Sequence, residues 1–276
     1  MRLIIEPIVR VALLEDLGRA GDITTDAIVP EDTSVEAVIA TRQPGIVAGL
    51  DAALLAFELI DPTLRIERCC RDGVRVSRGE KVARIAGRAR GVLSAERTAL
   101  NLLSRMSGIA TATRALADAI AGTKAKIVCT RKTTPGLRVL EKEAVRHGGG
   151  ANHRFGLDDA MLIKDNHIAL AGGVRPALER ARQCAGHLVK VELEVDTLDQ
   201  LADALEIGID AVLLDNMTPE TMRRAVAMVD GRAITEASGR INLETAPAVA
   251  ATGVDLISCG WITHSAPILD LGLDIA

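Results

Sequence analysis

Between Thr130 and His167 the chain reads TRKTTPGLRVLEKEAVRHGGGANHRFGLDDAMLIKDNH, which holds seven of its 33 lysines and arginines, three of its five histidines and the run Gly148-Gly149-Gly150. The whole chain is mildly acidic, with a formal net charge of −4, so this concentration of base is local. Arginine offers a planar fork of donors and lysine a compact point charge. Beside open backbone, both suit a small molecule that carries several negative charges. Charged or small polar residues also close one short apolar run after another: Thr130-Arg131-Lys132, Lys164-Asp165, Glu194, Asp215-Asn216, Ser238-Gly239, and Ser258 with Gly260. The cations of this inventory are Arg131, Lys132, Arg154 and Lys164, with His153 beside them; the anions are Glu194 and Asp215. Two carboxylates from neighbouring strands suit Mg²⁺, which takes one or two protein carboxylates plus substrate oxygens. Small residues after the last two runs suit a terminal phosphate held by backbone N–H groups. The chemistry indicated is that of an enzyme for a polyanionic substrate with Mg²⁺. A lyase using Lys164 as a Schiff base is a second possibility. GGGANHRFG by itself is a weak signal, and no Walker or dinucleotide pattern is present.

The elements that would position these groups follow a regular alternation. Short β-branched runs at 126–130, 160–164, 189–195, 211–215, 233–238 and 254–258 are separated by amphipathic stretches such as 198–207, 219–229 and 243–251. Thr197, Thr218 and Asn242 read as N-caps, and Gly208, Gly231 and Gly253 as helix ends. Strand then helix, repeated, implies right-handed βαβ units on a parallel sheet, and this short spacing favours a barrel or partial barrel. In such barrels the C-terminal strand ends form the rim that carries the site. Within VKVELEV the period of two sets Lys190, Glu192 and Glu194 on one face and Val189, Val191, Leu193 and Val195 on the other. The charged face points into the barrel. Glu194 lies nearest the rim, and Lys190 is expected to neutralise Glu192 below it.

The first half reads as a separate α+β domain. It begins with a helix near 4–17 and a turn at 21–25. Strands follow at 34–41, 64–71 and 81–87, with a helix at 50–60. A helical region from Ser94 to Ala121, broken near Gly108, leads into the alternating half. Its stripe of Ala99, Leu102, Leu103 and Met106 is apolar, with Arg97, Asn101, Ser104 and Arg105 opposite.

Composition narrows the partners. At 276 residues and 48% apolar the chain is globular, with room for two cores. Phe57, Phe155 and Trp261 are its only aromatic residues, so stacking platforms for bases are missing; with the acidic charge this weighs against nucleic acid. No eighteen apolar residues run together, and the charged N-terminus is too polar for a signal peptide, which excludes a membrane partner. Five scattered cysteines without zinc spacing read as free buried thiols in a reducing cytoplasm.

The segments TRKTTPG, GGGANHRFG and LIKDNHI, followed by VELEVDTLDQL, LLDNM, EASGRIN and THSAPILDLGLDI, resemble the quinolinate phosphoribosyltransferase family. So do EDLGRAGDITTDAIVP and SAERTALNLLSRMSGIAT, and the likeness spans nearly the whole chain in order. It implies an N-terminal α/β sandwich domain over 1–107, with the tail 262–276 packing on it, and an incomplete parallel α/β barrel over 108–261. It implies a cytoplasmic homodimer, or a larger assembly, in which each site is completed by the partner. It further implies transfer of a phosphoribosyl group from phosphoribosyl pyrophosphate to quinolinate, yielding nicotinate mononucleotide, pyrophosphate and CO₂ in NAD biosynthesis. By the same likeness Arg131, His153 and Arg154, joined by Arg97 from the partner, hold the quinolinate carboxylates. Lys132 and Lys164 meet phosphates; Glu194 and Asp215 organise the ribose hydroxyls and Mg²⁺–pyrophosphate; Ser238, Gly239, Arg240 and Gly260 cradle the 5′-phosphate. The family usually shows Ser-Gly-Gly where this chain has Ser238-Gly239-Arg240, a departure that keeps open a molybdenum-transport-associated paralogue with another substrate, or a dimeric binding protein.

Overall fold

A computed structural model describes residues 2–275. In chain order its elements are α1 (Arg2–Leu17), α2 (Ile23–Ile28), β1 (Ser34–Thr41), β2 (Gly45–Ile46), α3 (Leu50–Ile60), β3 (Arg65–Arg68), β4 (Arg75–Val76), β5 (Lys81–Arg88) and α4 (Ala89–Ala119). There follow β6 (Lys126–Val128), α5 (Arg138–His147), β7 (Met161–Ile163), α6 (Asp165–Ala171), α7 (Val174–Cys184), β8 (Val191–Val195) and α8 (Leu198–Ile207). The last are β9 (Ala211–Asp215), α9 (Pro219–Val229), β10 (Ile234–Ser238), α10 (Ala246–Ala250), β11 (Leu256–Ser258), α11 (Trp261–His264) and β12 (Leu271–Ile275). The described residues divide into two compact units, one of 2–114, 133–149 and 262–275, the other of 115–132 and 150–261.

The first unit is built on an antiparallel sheet in the order β12-β1-β5-β3, in which Ile39 lies opposite Leu273 on one side and Ala83 on the other. Its core is aliphatic apart from Phe57, which is fully buried on α3 among Leu50, Leu54 and Leu55. Two expectations fail here. The segment around Thr24 is not an open turn but α2, because the Asp22 carboxylate accepts the Thr25 N–H at 3.0 Å and caps a helix start. Helix α4 does not break at Gly108: a β-carbon there would lie 2.1 Å from the Pro267 carbonyl oxygen, so this glycine allows another segment to approach an intact helix.

The second unit is a parallel sheet in the order β6-β11-β10-β9-β8-β7. Sequence-consecutive strands neighbour one another from β7 to β11, β6 closes onto β11, and no pairing joins β6 to β7. This is the incomplete α/β barrel, open between its first two strands. Ala151 runs along the free edge of β6, its N–H donating to the Ile127 carbonyl at 2.8 Å and its carbonyl accepting from Cys129 at 3.2 Å. The residues that follow it are thereby led into the opening. The Thr197 and Thr218 hydroxyls cap α8 and α9, each accepting an N–H at 3.2 Å, and Gly208 ends α8. Asn242 does not start a helix. Its side chain closes a turn on Glu244 and Thr245, and α10 begins after Thr245.

Among the described residues no cysteine forms a disulfide; Cys129 and Cys259 are buried as expected, whereas Cys69 and Cys184 are exposed. Among the described residues no helix is long and apolar enough to cross a membrane.

Candidate active site

The anions of the site stand where strand periodicity put them. Along β8, Val191, Leu193 and Val195 are buried while Glu192 and Glu194 occupy the alternate positions, their side chains 12% and 13% exposed. Glu194 forms a close ion pair with Lys164, the residue between β7 and α6, whose own N–H donates to His167 Nδ1 at 2.9 Å. The Lys164 ammonium is thereby turned toward the Glu194 carboxylate on the next strand. On the next strand Asp215 ends β9 in register with Ser238, and its carboxylate accepts the Asn216 side-chain amide at 2.6 Å.

The turn after β10 is shaped by close backbone packing. Gly239 has φ +108, and a β-carbon on it would lie 2.3 Å from the Asn216 side-chain oxygen. Asn216 and Arg240 also take left-handed conformations, at φ 52 and 48. For a bulky residue such as Arg240 this is strained backbone. Arg240 is exposed, and Ser238, Gly239 and Gly260 are half-buried at the ends of β10 and β11.

Two of the cations, Arg131 and Arg154, come together beside the open edge of β6. Arg131 and Lys132 follow β6; His153 and Arg154 follow the edge-running Ala151. Arg154 is fixed by a hydrogen bond from its guanidinium to the Ala160 carbonyl at 2.9 Å. Burial, and then the positive charge of Arg131, push the Arg154 guanidinium below its ordinary range. The carboxylates of Asp159 and Glu192 offset part of that repulsion, and two half-buried guanidiniums this close together suit a carboxylate-bearing anion.

Two expectations about this region are corrected. Lys190 does not neutralise Glu192: it lies before the first residue of β8, is exposed, and pairs with Asp210 at 2.6 Å. Glu192 instead accepts from His153 Nε2 at 2.9 Å. The glycine run likewise is no open anion loop. Gly148 ends α5 and packs so tightly on α4 that a β-carbon would lie 2.5 Å from the Ala110 carbonyl oxygen, while Gly149 turns the chain at φ +89. Arg97, on α4, lies on the first unit with its side chain 66% exposed.

One acid in the barrel gave no signal in the sequence. Glu236 on β10 is 2% exposed, and its Oε1 has no hydrogen-bond partner although His153 Nε2 lies 3.8 Å away. Burial, reinforced by the facing Glu192 and opposed by His153 and the Ser258 hydroxyl, raises its carboxyl to about 7. The folded protein therefore keeps a proton on Glu236 between about pH 4.5 and 7 that the unfolded chain has lost. Stability falls as pH rises through that window, and the penalty is complete above it. Glu236→Gln, which carries no charge, is expected to exceed the wild type in stability by up to about 3 kcal/mol at pH 8 and by little near pH 5. Urea denaturation at the two pH values checks this; an equal difference at both would reject the assignment.

Comparison with known proteins places these features in a family setting. Residues 22–107 match the family description "Quinolinate phosphoribosyl transferase, N-terminal domain", and residues 109–274 match its C-terminal domain. A Mycobacterium leprae protein named nicotinate-nucleotide pyrophosphorylase (carboxylating) is 48% identical over 272 residues, covering 97% of this chain and 95% of its own. An Arabidopsis thaliana chloroplastic protein of the same name is 40% identical over 289 residues, covering 98% of this chain and 82% of its own. The solved structure of the nicotinate-nucleotide pyrophosphorylase from Francisella tularensis superposes with a TM-score of 0.96 at 39% identity, covering 100% of this chain and 97% of that one.

Proposed function

This chain belongs to the quinolinate phosphoribosyltransferase family, and we propose that it transfers the phosphoribosyl group of phosphoribosyl pyrophosphate to quinolinate, giving nicotinate mononucleotide, pyrophosphate and CO₂. The observation that carries the reading is the nearness of Arg131 to Arg154 in a barrel whose strand ends carry the Lys164–Glu194 pair, Asp215 and Ser238. A pyridine dicarboxylate offers two carboxylates of the kind that two neighbouring guanidiniums bind as planar forks. In this reading Arg131, His153 and Arg154 form the quinolinate end of the site, and Arg97 is contributed by the partner of a homodimer. Lys132 and Lys164 meet phosphate oxygens. Glu194 and Asp215 take the ribose hydroxyls, and Ser238, Gly239, Arg240 and Gly260 the 5′-phosphate. The catalytic domain is then 108–261, with 1–107 and the tail 262–276 as the second.

The donor set fits Mg²⁺ bound together with pyrophosphate rather than directly. Glu194 is already paired with Lys164, and Asp215 with Asn216, so each has only part of its oxygen capacity to offer. When bound, the ion neutralises charge on the departing pyrophosphate. Lys132 and Lys164 share that task as the ribose C1–oxygen bond breaks. The arginines hold the quinolinate ring so that its nitrogen lies in line with C1 and forms the new bond. When the adjacent carboxylate leaves as CO₂, the electron pair stays on the ring carbon as an ylide that the neighbouring positive nitrogen stabilises, and that pair takes up a proton to form the new C–H bond. No covalent enzyme intermediate is required.

Quinolinate-dependent release of CO₂ and pyrophosphate in the presence of Mg²⁺ is the expected activity, with nicotinate as the control substrate. Turnover of nicotinate alone, or of neither, would reject the proposal. Shared sites predict a second result. Subunits inactivated by Arg97→Ala, mixed with subunits inactivated by Glu194→Ala, should regain activity after exchange, since one site in each heterodimer keeps both residues. No recovery after verified exchange would count against a partner-contributed Arg97.

A further inference from the structure

Below the rim, His153, Glu192 and Glu236 gather their ligand-type atoms within 4.8 Å of one another. The spacing resembles a small cation site, but the contacts are those of a hydrogen-bonded clamp. The N–H of Arg154 points to His153 Nδ1 at 2.7 Å, so Nδ1 acts as an acceptor. The ring proton then belongs on Nε2, which faces Glu192 at 2.9 Å. A proton there occupies the lone pair that a metal would need. The imidazole, 12% exposed, is thus held at one nitrogen by β8 and at the other by the backbone of the next residue. That residue is Arg154, whose guanidinium is itself tied to Ala160.

We propose that Glu192 is a positioning residue for dicarboxylate recognition: by accepting the Nε2 proton of His153 it fixes the ring, and through Nδ1 it fixes the backbone that aims Arg154. The proposal deepens the reading of the site given above and rests on it. Glu192 touches no substrate in this scheme. Its effect passes along strand, ring and backbone to one guanidinium, so it belongs to the quinolinate end alone. A merely structural acid would lower stability and the active fraction without favouring one substrate.

The test compares Glu192→Ala and Glu192→Gln with the wild type in the same steady-state assay. Glu192→Ala is expected to raise the KM for quinolinate about tenfold or more, as for loss of a charge-assisted hydrogen bond, while the KM for phosphoribosyl pyrophosphate stays as it was. Glu192→Gln keeps an acceptor oxygen and should recover most of the loss. A parallel rise in both KM values, a fall in kcat alone, or a Gln variant as impaired as Ala would overturn the proposal. Nitrogen-15 NMR of histidine-labelled wild type, with the His153 signals assigned through His153→Gln, reads the clamp without any mutation of Glu192. Protonated Nε2 with an acceptor Nδ1 is expected, and the opposite tautomer would overturn it. Wild-type turnover in the same assay tests the functional reading separately, so a failed substrate and a failed clamp give different results.

Discussion

Arg131→Ala is expected to weaken quinolinate binding by roughly 10²–10⁴-fold while leaving phosphoribosyl pyrophosphate binding largely intact. The size follows from removing one partner of a desolvated charge pair, about 3–5 kcal/mol. The selectivity follows from position: Arg131 acts on Arg154 strongly enough to help push its guanidinium below the ordinary range, whereas Glu194, Lys164 and Asp215 lie on later strand ends. Arg131→Lys should rescue little, because a point charge cannot reproduce a forked contact with a carboxylate. Calorimetry with each ligand checks both statements. Equal loss of both ligands would sink the division of labour.

Glu141→Leu is expected to destabilise the protein by about 3–5 kcal/mol. Glu141 is fully buried on α5 and accepts from the Arg105 guanidinium at 3.1 Å, from the Thr134 N–H at 3.0 Å and from the Thr134 hydroxyl at 2.8 Å. Arg105, 22% exposed, also donates to the carbonyls of Thr263 and Ala266. One carboxylate and one guanidinium therefore tie α4, the segment before α5 and the residues around α11 within the first unit. Removing the acid leaves Arg105 and the Thr134 N–H short of a partner in a desolvated place, which costs more than the pair contributes when whole. Adding Arg105→Met to Glu141→Leu should therefore return part of the loss. Urea denaturation of the two single variants and the double gives the coupling; simple additivity of the single losses would mean that the two side chains do not act as a pair.

The barrel was legible because its signal is local and repeated. Apolar runs of strand length, capped helices between them and polar residues at the run ends are properties of neighbouring residues, and β7 through β11 follow them closely. The rim residues Lys164, Glu194, Asp215 and Ser238 could be numbered for the same reason: a strand end is defined by the strand before it. Caps at Thr197 and Thr218 were equally readable, since the bond that makes a cap spans three residues.

What the tertiary structure alone decided is which charge answers which. Period-two alternation placed Glu192 on the inner face but could not choose its partner. Lys190 is two residues away, yet it falls before the first residue of β8 and reaches Asp210; His153, 39 residues away in sequence, enters by the open edge of β6 and takes Glu192. Glu236 in ITEAS and Glu141 in a highly charged helix read locally as ordinary strand and helix residues. Their burial depends on which distant segments close over them. Gly108 looked like a helix breaker because propensity is a property of one residue, while its use, contact with Pro267, belongs to two segments 159 residues apart. In the basic segment that first pointed to a polyanion, the sequence by itself determined that charge and glycine are concentrated there. Only the fold separated them, sending Arg131 and Arg154 to the barrel opening and the glycines to a helix end, because backbone packing and charge pairing act across space rather than along the chain.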